Sequence, residues 1–256
     1  MLSSDEYVNI PLKRIYISVP GKVNSITGEL QLSKQFDKSL FEENNKISDL
    51  FNKHFDSPVK IYNDINLAII GEKRFGALSN VDNAMLIYID NGVGAAMIFN
   101  NEFYGGSNGY AGEIGLIKVN FNGQNNFLDE FISLRSLKEF VLNKTSNKVK
   151  SNELIGYYEN NMEIHNHINE TAHLLGSTLK DMIEVLNIST IVIQGRISQF
   201  KDEYLNCIKQ EVSFSQNQCD VMFSKLNGDS IFLGAMSEAV DDLVSEITSK
   251  NISKED

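Results

Sequence analysis

The stretch GGSNGYAGEIGLI, residues 105–117, carries five glycines in eleven positions around one carboxylate, Glu113, and then closes on Leu116 and Ile117. Glycine loses more conformational freedom on folding than any other residue, so a chain keeps it where the backbone takes positive φ or runs close to something else. The question the run raises is what Glu113 is held against.

Working outward from the run, AMLIYI (84–89) and GAAMIF (94–99) read as two apolar strands around a glycine-bearing turn. Asn100-Asn101 is a hairpin turn into EFYGG. Upstream, RIYISV (14–19) is a short strand ended by Pro20-Gly21, and NSITGELQL a turn leading into another. Helical spacing of Ile47, Leu50, Phe51 and Phe55 predicts a helix within 40–55. SPVKIY (57–62) is a strand, followed by the helical DINLAIIGEKRFGA with a stop at Gly76. Downstream, one helix is predicted over 126–142 and a long one over 163–187. The strand STIVIQG (189–195), the helix DEYLNCIKQEV, the strand CDVMFS and a final helix over 230–249 complete the chain. Alternation of strands and helices makes the class α/β with a partly parallel sheet.

The chain has 256 residues and a net charge of −11, with no Lys/Arg block. A chain that itself grips DNA needs a basic face, so this composition argues against that role. The first residues hold acids and no apolar core, which argues against a signal peptide. No apolar run approaches the ~18 residues that span a bilayer. Cys207 and Cys219 are not in a Cys-x-x-Cys arrangement and read as small, buried apolar side chains of a cytoplasmic protein.

IYNDIN (61–66) places Asn63 and Asp64 at a strand end just before a helix. Ligands of open α/β sheets bind outside the carboxyl ends of strands. An Asp there can take a proton from a substrate hydroxyl or hold that hydroxyl by a charge-assisted bond. The same residue can equally cap the following helix.

Several of these segments together resemble the ROK family of repressors, open reading frames and sugar kinases. Ile89, Gly92, Val93, Gly94, Ala96 and Met97, then Gly106, Gly112 and Gly115, stand at the family's spacing. IYNDINLAIIGE resembles its Asn-Asp-x-Asn-x-Ala…Gly-Glu segment, and FLDEFISLRSL its Cys-Leu-Glu…Ser segment. TIVIQGRIS and IFLGAMSEAV resemble its last strand and helix. The resemblance runs from about residue 14 to 245. It implies a two-lobed, actin-like (sugar kinase or RNase H-like) α/β fold with its ligand between the lobes. Residues 1–80 would belong to a first lobe incomplete at its N-terminus, with 230–250 packing back on it, and 81–229 would form the second.

The resemblance assigns Asn63, Asp64, Asn108, Glu113 and Asp129 to sugar hydroxyls, Asp129 standing where the family has the longer Glu. It makes Gly92, Gly94 and Gly195 the remains of a nucleotide site. The family's first phosphate turn, Asp-x-Gly-x-Thr, has no match before Asp64. Its second, Gly-Thr-Gly-x-Gly, reads Asp90-Asn91-Gly92-Val93-Gly94. Asp90 puts a carboxylate where a triphosphate would sit, with no basic residue in view to offset it. Two like charges at ~4 Å and an effective dielectric of ~20 cost about 4 kcal/mol. Gln194-Gly195-Arg196 replaces a Gly-Gly turn near the adenosine, with Arg196 read as a surface residue that could also help bind an anion. The family's zinc ligands are also replaced: Leu116 stands for a His, and 120–130 contains no Cys. Leu116 is expected to pack against that loop. His165, His167 and His173 read as exposed helix residues, with His165 and His167 on different faces.

Two functions follow from the resemblance. The first is sugar sensing by the effector-binding part of a ROK regulator of the xylose-repressor type, without metal or cofactor. It would be a homodimer, and would not bind DNA by this chain alone, since no helix-turn-helix is in view. The second is an ATP- and Mg²⁺-dependent sugar kinase with Asp64 as general base.

Overall fold

The computed structural model describes residues 12–24, 30–32 and 55–252. The helix predicted within 40–55 and the turn at 25–29 lie outside the described residues.

Two parallel strands, β1 (Ile15–Val19) and β4 (Val59–Asn63), pair in register from Ile15 opposite Val59 to Val19 opposite Asn63. Between them in sequence, β2 (Gly21–Val23) and β3 (Leu30–Leu32) form an antiparallel pair. β4 runs directly into α1 (Asp64–Phe75), which stops at Gly76 as its sequence predicts. Beyond that stop, the buried carboxylate of Glu72 accepts from the Ala77 N–H at 2.9 Å and from the Ser224 hydroxyl. A residue that reads as part of a family motif thus ties the helix end to a distant loop.

The second sheet has five strands. Its order is β11 (Asp220–Phe223), β10 (Thr190–Gln194), β5 (Ala84–Ile89), β6 (Val93–Phe99), β7 (Glu102–Phe103). The first three are parallel, and β6 and β7 are antiparallel additions. Asn100 and Asn101 both have positive φ, as a tight hairpin turn between β6 and β7 demands. β5 and β10 are apolar nearly throughout because helices cover both faces.

One face of this sheet packs on α5 (Met162–Leu186), α6 (Lys201–Val212) and α3 (Leu134–Thr145) in a single apolar core. The other packs on α1 through Ala68 and Ile69. The last helix, α7 (Asp229–Ile252), lies along α1. The Cβ that Gly234 lacks would stand 1.9 Å from the Leu67 carbonyl oxygen, so the two backbones touch. Further along α7, Asp242 takes Lys60 at 2.7 Å and the Tyr16 hydroxyl at 2.5 Å, and Glu238 takes the Tyr62 hydroxyl at 2.8 Å. α7 is thereby joined to β1 and β4.

Three expectations are corrected. The helix predicted over 126–142 is two, α2 (Asp129–Ile132) and α3, because Ser133 takes an extended backbone and its hydroxyl caps α3. Leu116, expected to pack against the 120–130 loop, is half exposed: a 3-10 turn over Ile114–Leu116 buries Ile114 in its place. The histidines are not simply solvated. His167 stacks on Phe140 at 3.5 Å between ring centres, and burial pushes its pKa down. His165 stacks on Tyr158 and meets Glu203 at 2.8 Å, and His173 meets Glu211 at 2.8 Å. Apolar rows on α5 and α6 bring His165 and His173 to their glutamates, which the spacing within α5 alone does not show.

Two elements have no counterpart in the sequence reading. They are the hairpin of β8 (Lys118–Phe121) and β9 (Gln124–Phe127), and the helix α4 (Leu154–Asn160). Phe121 fastens the hairpin by lying 5.3 Å from Phe131 and 5.8 Å from His167.

Candidate functional site

The carboxyl end of β4 and the start of α1 form one wall of a crevice. Asn63 is the helix cap. Its Oδ1 accepts from the N–H groups of Ile65 at 2.9 Å and Asn66 at 3.1 Å, and its Nδ2 donates to the Gly21 carbonyl at 2.6 Å. The cap is therefore Asn63 and not Asp64, and one amide N–H remains for any other partner. One helical turn on, Asn66 falls on the same face and lines the crevice too.

The glycine-rich loop forms the opposite wall, through Gly109, Tyr110, Ala111, Gly112 and Glu113. Its glycines answer to the sheet. Gly112 has φ +101, and a Cβ on it would stand 1.9 Å from the Ala95 carbonyl oxygen. The Gly112 carbonyl accepts from the Ala95 N–H at 2.7 Å, so the loop is laid along β6 and Glu113 is left exposed beside the crevice. Asn63 and Asn66 also border a larger cavity of about 570 Å³ lined by β4, α1, the β6–β7 hairpin and α7.

Asp64 is the first residue of α1, and its Oδ1 accepts from the Ile65 N–H at 2.9 Å. Burial pushes its pKa up to about 6, the Ile65 bond opposes this, and the charge of Asp90 adds to it. Its neighbours on the second sheet are Tyr88 and Asp90, with which it shares an electrostatic field.

Asp90 corrects a further expectation. It does have a basic partner: Arg196 grips both its oxygens, with Nε on Oδ2 at 2.7 Å and the terminal nitrogen on Oδ1. The register explains the pairing. β10 is parallel to β5 with Gln194 opposite Tyr88, so two residues further along each strand Arg196 arrives beside Asp90. Arg196 is accordingly not a free surface residue. Gly195, with φ +102, lets the chain pass the Ile89 carbonyl, which a Cβ would meet at 2.2 Å. The Gln194 amide is buried and donates to the Asn227 carbonyl at 2.5 Å and to Ser230 Oγ at 2.7 Å.

The remaining residues fall elsewhere. Asp129 turns one oxygen to Arg135 at 2.6 Å. Its other oxygen is buried without a hydrogen-bond partner, and a Cβ on Gly92 would stand 3.6 Å from it. Gly94 accommodates Ile65 of α1, whose Cδ1 would stand 2.5 Å from a Cβ there. Asn108 is exposed on the loop and does not line the crevice. The structure thus brings Asn63 and Glu113 to one crevice, sets Asp64 beside Asp90, and places Asp129 under Gly92. Sequence reasoning missed Asn66 and Tyr110. The three-residue step from Asn63 is the signal for the first, and no pattern marks the second. Among the described residues no group of three His, Cys, Asp or Glu is arranged to hold a metal, and no helix is long and apolar enough to cross a membrane.

The model of the ROK family matches residues 5–241. A xylose repressor from Bacillus subtilis is 28% identical over 206 residues, covering 76% of this chain and 53% of the repressor. A glucokinase from Halalkalibacterium halodurans is 28% identical over 178 residues, covering 60% of this chain and 53% of the kinase. The chain spans about half the length of these curated relatives. Among solved structures, a ROK family transcriptional regulator, a homologue of E. coli MLC protein, superposes with a TM-score of 0.75. It is 22% identical, with 87% of this chain and 61% of that one covered. A ROK family glucokinase from Streptomyces griseus, in complex with glucose and AMPPNP, gives 0.74 at 20% identity, with 88% and 80% covered. The fold is therefore the two-lobed, actin-like α/β fold of these proteins.

Proposed function

The chain belongs to the ROK family, and on that premise we propose that it is the sugar-sensing part of a sugar-responsive transcriptional regulator, without kinase activity. The observation that carries the sugar reading is the crevice whose two walls are Asn63 with Asn66 and the Glu113 loop, taken together with the cavity of about 570 Å³ that Asn63 and Asn66 also line. Sugars present several hydroxyl donors, and ionised carboxylates are strong acceptors for them. The names of relatives such as the xylose repressor favour a regulator. The carboxylate of Asp90 and the buried Gln194 oppose a triphosphate at the ends of β5 and β10. A homodimer that needs a further segment to contact DNA fits this reading.

Calorimetric titration with xylose, glucose and N-acetylglucosamine tests it. Losing one charged acceptor removes ~1.5–3 kcal/mol, so Glu113→Ala on the crevice wall and Asp64→Ala, between the lining residues Asn63 and Ile65, should each weaken binding about tenfold to a hundredfold. Acting on one ligand, the pair should lose less together than the sum of the two. If a sugar binds and neither substitution changes its affinity, the site is wrong.

One observation favours a kinase. An Asp64 with a pKa of about 6 is suited to general-base work near neutral pH. Under this reading, with Mg²⁺ present, the chain passes the γ-phosphoryl group of ATP to a hexose hydroxyl whose proton Asp64 takes, and Asp64→Asn abolishes ADP release. The regulator reading predicts no sustained ADP release from the wild-type chain.

A further inference from the structure

The turn between β5 and β6 is surrounded by cations that the chain itself occupies. Arg196 is held by Asp90 in a two-point grip, and Lys138 Nζ donates to Asn91 Oδ1 at 3.0 Å. Arg135 is held by Asp129 and Glu130. The N-terminus of α3 abuts the same turn, since the Leu134 N–H donates to the Asp90 carbonyl at 2.7 Å. A guanidinium, a lysine and a helix N-terminus at the carboxyl ends of parallel strands are the groups that recognise phosphate. Here two consecutive turn residues, Asp90 and Asn91, already engage both cations.

An arginine fork takes a carboxylate and a phosphate in the same bidentate geometry. We propose that Asp90 is an internal anion that fills the Arg196 fork and thereby bars phosphorylated ligands from the turn between β5 and β6. A phosphate entering here must first displace Asp90. Asp64 lies within the field of Asp90, so a phosphate at this turn also meets a second like charge. A neutral sugar meets no such barrier. Asp90 is therefore a specificity-determining residue, and Arg196 a latent phosphate ligand. The inference goes beyond the sugar-binding reading by assigning a role to the Asp90–Arg196 pair, which stands apart from the Asn63 and Glu113 crevice.

The test titrates inorganic pyrophosphate, without sugar, at fixed low ionic strength into wild-type chain, Asp90→Asn, and Asp90→Asn combined with Arg196→Met. Asn keeps the shape of Asp90 and an oxygen for the Asn91 N–H, which Asp90 accepts at 2.7 Å. Thermal melts establish that each variant is folded. Asp90→Ser, whose hydroxyl can also accept that N–H, replaces Asp90→Asn if the latter fails. The expected result is binding at least tenfold tighter in the neutral variant than in wild type, with the gain lost in the double variant. The proposal is overturned if the neutral variant gains nothing, or if the gain survives loss of Arg196. Failure of neutral sugars to bind wild type would overturn the sugar reading and leave the pyrophosphate result standing by itself.

Discussion

Asp64 shows at the scale of one residue how a buried charge is maintained against stability. Its folded-state pKa of about 6 lies above the ordinary 3.8, chiefly because the carboxylate is buried. Below about pH 4 the group is protonated in both folded and unfolded chains and has no effect. Above that the unfolded chain ionises first, so stability falls as pH rises toward 6 and stays lowered beyond it. The penalty at neutral pH is about 1–3 kcal/mol, allowing for partial exposure. Asp64→Asn keeps an acceptor for the Ile65 N–H and removes the charge. Its melting temperature at pH 7.5 should exceed that of wild type by several degrees, and the difference should shrink at pH 4.5. A variant less stable than wild type at both pH values would show that the charge serves the fold. Sugar affinity should change in the opposite sense, weakening as wild type is acidified through pH 6, because a protonated Asp64 is a poorer acceptor.

Elements with a clear period were legible in the sequence. The long α5, the apolar strands β5, β6 and β10 and the stop of α1 at Gly76 all fall where residue spacing puts them. The hairpin of β8 and β9 was not, although Asn122-Gly123 has the positive φ at both residues that such a turn needs. Its strands are polar and largely exposed, so no alternation of apolar residues announces them. The Asp90–Arg196 pair was hidden for another reason: its partners lie 106 residues apart, and only the register of β5 on β10 joins them. The crevice was half legible, because Asn63 and Glu113 sit in recognisable motifs while Asn66 and Tyr110 depend on how α1 and the loop face each other. Contact between α1 and α7 gives a prediction at this scale. A Cβ at residue 234 must move the Leu67 carbonyl or part the helices, since 1.9 Å is far inside any real contact. Gly234→Ala should cost about 1–3 kcal/mol, read as a lower urea midpoint with an unchanged slope. An unchanged midpoint would mean that the two helices are not in backbone contact.

Across the whole molecule, α7 has two unlike sides. One carries Glu238 and Asp242, which bind Tyr62, Tyr16 and Lys60 and so fasten the helix to β1 and β4. The other carries Phe232, Met236, Val240, Leu243, Val244 and Ile247, each 45–66% exposed. Their spacing of three and four residues places them in one row along the helix. Single exposed apolar residues are ordinary, but a continuous row of this length is not. The row should bind a hydrophobic reporter dye in the folded chain. Leu243→Glu with Ile247→Glu should remove most of that signal, because it places two charges within the row. The same variant should melt within about 2 °C of wild type. Both side chains are half exposed, and surface changes of this kind stay within about ±0.5 kcal/mol per site. Large destabilisation would instead show that Leu243 and Ile247 are buried against some part of the folded chain. Unchanged dye binding in a folded variant would place the apolar surface elsewhere on the molecule.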